Sequence, residues 1–123
     1  MEYNIIVKEG VVFRQINKFT IEFFHALDNC CKTYGHNYVI TSANDGHHSA
    51  ESYHFKHLAF DIRLNDLPKS QWYVLQTAIK AALGNYWDIL VENTDSPTNV
   101  HLHCEMDMKK YSTYFLNHNG SEA

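Results

Sequence analysis

The sequence predicts an α+β fold, a small, mostly antiparallel sheet with helices on one face, and three observations carry that prediction. Two segments, near residues 20–34 and 68–83, repeat apolar side chains at helical spacing. Several short runs alternate apolar and polar side chains with a period of two, as half-buried strands do. No linker, internal repeat or low-complexity tract divides the 123 residues, so they must share one core. A single domain over residues 1–116 is expected, followed by a loose polar tail over 117–123.

The first helix is expected from Thr20 to Tyr34, where Phe24, Leu27, Cys31 and Tyr34 recur on one face and Gly35 follows as a stop signal. Tyr38–Ser42 (YVITS) is rich in strand formers and leads into a polar loop, Ala43–His57. From Leu58 the chain alternates. Leu58, Phe60, Ile62 and Leu64 point to the core, and Ala59, Asp61 and Arg63 point away. A second helix runs from Pro68, suited to a first turn, to Leu83; Trp72, Leu75, Ile79 and Leu83 share a face and Gly84 comes next.

Two strands, Trp87–Glu92 and Val100–Met106, flank the turn-rich NTDSPTN. Pairing Val91 with Leu102 brings Ile89 to Cys104 and Trp87 to Met106, which collects the large apolar side chains on one face. The same register sets Glu92 beside His101. Leu90 falls opposite His103, where it is expected to wall a pocket.

Composition narrows the function classes. The net charge is −4 and the only adjacent basic pair is Lys109–Lys110, which argues against nucleic acid as a partner. No run approaches the roughly 20 apolar residues that span a bilayer, so membrane insertion is not expected. The start, MEYNIIVKEG, lacks the basic residues and long apolar run of an export signal, and synthesis in the cytoplasm as a monomer is expected. Three cysteines, two of them adjacent at Cys30 and Cys31, make no disulfide framework and read as small buried hydrophobes.

The nine histidines are the informative residues. DGHHSAESYHFKHLAFD, from Asp45 to Asp61, and VHLHCEM, from Val100 to Met106, together supply imidazoles and a carboxylate in a pattern able to hold one divalent ion. Strand parity sends His101, His103 and Glu105 to one face and Cys104 to the core, so Cys104 is not a ligand. Ample histidine with little available cysteine favours an open, hydrolytic zinc site over a closed structural one. In the first segment His54 and His57 both remain eligible as ligands, three residues apart and joined to Asp61 across a loop-to-strand junction.

At these residues the chain resembles a superfamily that comprises the zinc D-alanyl-D-alanine peptidases, phage endolysin peptidases and the hedgehog amino-terminal signalling domain. The shared pattern is SxHxxGxAxD, followed downstream by a Glu and an HxH. Ser52, His54, Ala59 and Asp61 match the first block, and His101 and His103 the second. The similarity spans about residues 38–107. His57 stands where the family has glycine, and the gap between Glu92 and His101 is longer than the family's.

The resemblance implies a hedgehog/D-Ala-D-Ala-peptidase-like fold, with His54, Asp61 and His103 as ligands of Zn2+ and Glu92 and His101 as catalytic groups. His48, Ser52 and Asp45, with His47, would orient ligands or bind substrate. Ser42 and Ala43 stand where further acids would be needed for calcium, and no calcium site is expected. The implied reaction is hydrolysis of an amide bond in a peptidoglycan stem peptide, as by a carboxypeptidase or an endolysin-type endopeptidase acting at the bacterial cell wall. A hedgehog-like, zinc-containing binding module without peptidase activity is the alternative.

Overall fold

The computed structural model describes residues 2–14, 16–44 and 58–118, with side chains as far as residue 113. Its elements are β1 (Ile6–Val7), α1 (Lys18–Tyr34), β2 (Val39–Asn44), β3 (Leu58–Arg63), α2 (Lys69–Ala82), β4 (Trp87–Glu92), β5 (His101–Met106) and α3 (Met108–His118).

Helix α1 begins two residues before the apolar pattern suggests, because Asn17 caps it. The Asn17 Oδ1 accepts hydrogen bonds from the backbone N–H groups of Phe19 at 2.9 Å and Thr20 at 3.1 Å. Gly35 ends it in the left-handed region, φ 64°, and donates its N–H to the Cys31 carbonyl. The buried stripe is also centred differently from the expected one. Leu27 and Cys31 are buried as expected, but Phe23 and Cys30 join them, Phe24 is only partly covered, and Tyr34 is exposed.

The five strands lie in the order β1-β2-β3-β5-β4. Three of the four pairings are antiparallel, but β1 runs parallel to β2, with Ile6 beside Val39, so the sheet is mixed rather than mostly antiparallel. The reason is topological: β1 and β2 are joined through α1, and a helical crossover returns the chain in the same direction. In β2 a bulge between Ile40 and Ser42 breaks the alternation. It places Ser42 opposite Asp61, and Ser42 and Asn44 are exposed there.

One face of the sheet carries the core. Phe60 and Ile62 of β3, Ile89 of β4, and Leu102, Cys104 and Met106 of β5 are all buried against Phe23 and Leu27 of α1 and Leu75 and Ile79 of α2. Phe23 stacks on Phe60, with ring centroids 4.3 Å apart and an 11° tilt. Trp72 of α2 donates its indole N–H to the Leu64 and Leu67 carbonyls, pinning the helix start to the end of β3. Gly84 is required by packing rather than by backbone freedom, since a side chain there would collide with the Tyr86 ring.

Helix α3 was not anticipated. Asp107 starts it by accepting from the N–H groups of Lys109 and Lys110, and Tyr111 packs edge-on against Phe19 at 4.7 Å. Asn117 and His118, read from sequence as part of a loose tail, belong to this helix; residues 119–123 lie outside the described ones. Among the described residues no helix is long and apolar enough to cross a membrane.

Candidate metal centre

The face of the sheet opposite the helices is polar at its centre, and the pairing of β5 with both neighbours makes it so. His103 has Asp61 of β3 on one side and Leu90 of β4 on the other; His101 has Arg63 and Glu92. The hairpin register expected from apolar matching is the one observed, from Trp87–Met106 through Glu92–His101. Residues 42 positions apart are thereby placed side by side on adjacent strands.

The side chains converge. His103 Nδ1 lies 2.7 Å from Asp61 Oδ1, and His101 Nε2 lies 3.7 Å from the same oxygen. His101 Nε2 is also 3.0 Å from Glu92 Oε1. Ligand atoms of Asp61, His101 and His103 all lie within 4.8 Å of one another, close enough to bind one metal ion. All three are partly buried, so they are held in place yet open to solvent.

Each imidazole is oriented from behind. The Asn99 carbonyl, 2.8 Å from His101 Nδ1, can only accept, so Nδ1 carries a proton and Nε2 is turned toward Asp61 and Glu92. Glu105 Oε1, 3.0 Å from His103 Nε2, does the same for the second ring and turns its Nδ1 toward Asp61. Burial opposes a charged His103. Hydrogen bonds to Glu105 and Asp61, with the negative charges of Asp61 and Glu92, outweigh it and hold the pKa above the usual histidine value.

Of the residues singled out in the sequence, Asp61, His103, His101 and Glu92 come together. Asp45, His47, His48, Ser52, His54 and His57 lie outside the described residues. Cys104 faces the core, fully buried, with its thiol pKa pushed well up by burial. Leu90 is opposite His103 and half exposed, and among the described residues a cavity lies on the His101 side of the cluster, lined by Arg63 and by Asn93, Thr98 and Asn99 of the hairpin loop. Glu105 acquires a role that the sequence reading did not give it, although its parity with His103 already put both on one face. No family model matches the chain, and neither a curated protein nor a solved structure matches it.

Proposed function

We propose that the protein is a zinc-dependent peptidase that hydrolyses an amide bond in peptidoglycan stem peptides. The observation that supports it most is the meeting of Asp61, His103, His101 and Glu92 from three neighbouring strands, two imidazoles and two carboxylates on one polar face. The SxHxxGxAxD and HxH residues supply the rest of the case. The donor set fits zinc, which takes imidazole nitrogen and carboxylate oxygen in hydrolytic sites.

In this reading Asp61, His103 and His54 would hold the ion. Zinc bound there would polarise the scissile carbonyl and bring the pKa of a bound water to about 7. The Glu92 carboxylate takes the proton of the attacking water and returns it to the leaving amine as the C–N bond breaks. His101, its Nδ1 proton committed to Asn99, would stabilise the developing oxyanion as the imidazolium, donating a hydrogen bond from a second proton on Nε2. The Glu92–His101 contact keeps the proton-transfer group beside the oxyanion-stabilising one.

The test is metal analysis of the purified protein, followed by incubation with purified cell-wall material and assay of newly freed amino groups. Stoichiometric zinc and chelator-sensitive cleavage are expected, with Asp61→Ala and His103→Ala losing both and Glu92→Gln keeping zinc but losing turnover. His54→Ala should release zinc while His101→Ala retains it; the reverse would exchange their roles and make His101 the third ligand. Zinc without any cleaved bond would favour the binding-module reading instead.

A further inference from the structure

A cavity of about 580 Å³ opens beside the cluster and shares His101 with it. Its volume is in the range of sites that enclose a small organic ligand. Two of its walls are cationic. Arg63 is the β3 partner of His101 in the sheet, and Lys8 follows β1, held there by its N–H on the Ile40 carbonyl at 3.0 Å. Among the described residues neither Lys8 nor Arg63 forms an ion pair.

Against these two cations stands one acid among the described lining residues. Asp66, the one acid in the lining, has its Oδ2 3.3 Å from His36 Nε2, and Glu92 is engaged with His101. The Asn65 amide donates to the Thr98 carbonyl, which ties the hairpin loop to the segment that follows Arg63, and the Asn93 amide donates to the Asn99 carbonyl across the loop itself. The result is a polar recess beside the cluster in which two cations, unpaired among the described residues, outnumber the single acid Asp66.

We infer that this cavity, lined by Arg63, Lys8 and His101, receives the free carboxylate at the C-terminus of the substrate. The inference rests on the peptidase reading and refines it: the enzyme removes residues from the end of a peptide rather than cutting within one. Arg63 lies two residues beyond Asp61, about 7 Å along the strand. An extended peptide covers that length in about two residues. A planar guanidinium accepts a carboxylate through two parallel hydrogen bonds, and an ammonium adds a movable second contact. A peptide whose scissile carbonyl sits at the cluster would therefore set its terminal carboxylate on Arg63 one or two residues later.

The probe is acetyl-Lys-D-Ala-D-Ala as free acid and as C-terminal amide, titrated by NMR into metal-free and zinc-loaded protein, with hydrolysis by the zinc-loaded protein followed separately. The acid should bind at least about tenfold more tightly than the amide, as expected of a hydrogen-bonded charge pair. Its shift changes should centre on Arg63, Asn65 and Thr98. Arg63→Gln should bring acid binding down to the level of the amide, Arg63→Lys should restore part of it, and the exposed Lys8→Gln should give a smaller loss. In hydrolysis Arg63→Gln should raise KM more than it lowers kcat. Equal binding of acid and amide, no binding of either, or an Arg63→Gln protein that still prefers the acid overturns the inference, and continued hydrolysis then leaves the peptidase reading standing. Acid-selective binding at Arg63 with no bond cleaved sustains the carboxylate site and overturns the peptidase reading.

Discussion

His103 sits between two carboxylates, Asp61 at 2.7 Å from one ring nitrogen and Glu105 at 3.0 Å from the other, and the two do different jobs. Asp61 shares the space where an ion would lie; Glu105 stands behind the ring and fixes which nitrogen faces forward. Partners of this kind raise ligand basicity, and their loss typically weakens metal binding by about 10- to 100-fold. Glu105→Ala is expected to lower zinc affinity by that factor, with Glu105→Gln between it and the parent, read by competition with a chromophoric chelator. Unchanged affinity would mean that Glu105 does no more than cover the ring. The parity that reveals Glu105 was legible in HLHCEM. Its contact was not, since period two gives a face but no distance.

Among the elements, the β4–β5 hairpin was the most legible, because matching Trp87, Ile89 and Val91 to Met106, Cys104 and Leu102 leaves one register that buries them together. A one-residue slip would turn His101 and His103 into the core. Strand β1 escaped notice because a two-residue strand shows no periodicity, and with it went the parallel pairing. Helix α1 was found, but its buried face was centred wrongly, because Phe23 and Phe24 are adjacent apolar residues and it is Phe23 that stacks with Phe60 and Trp87. Phe23→Ala should cost about 3–5 kcal/mol, the usual loss for a buried phenylalanine. Asn17→Ala should cost about 1 kcal/mol through the cap alone. Chemical denaturation compares them, and a Phe23→Ala loss near that of the cap variant would show that the stack is not central to the core.

At the scale of the whole molecule, stability and chemistry occupy opposite faces of one sheet, and His103 couples them through pH. Its folded pKa is raised above the unfolded value of about 6.5. The resulting stabilisation is complete below that value and is lost as pH rises through the folded pKa. Metal-free protein should therefore melt at a lower temperature as pH goes from about 6 to 8. Zinc-loaded protein should show the opposite trend in the stabilisation that zinc adds, since the ion needs the Nδ1 that a proton vacates at higher pH. Melting curves with and without zinc across that range test the crossing, and parallel curves would remove His103 from the set of ligands.

Cys104 stands between His103 and Glu105 in sequence but on the far side of the sheet, wholly enclosed and with a thiol that resists ionisation. Alkylating reagents attack the thiolate, so in the native state this sulfur is shielded twice, by access and by its proton. Its modification has to wait for β5 to leave the core. The rate at which a maleimide consumes it is thus a clock for the opening of the very strand that carries both histidines, readable without touching either one.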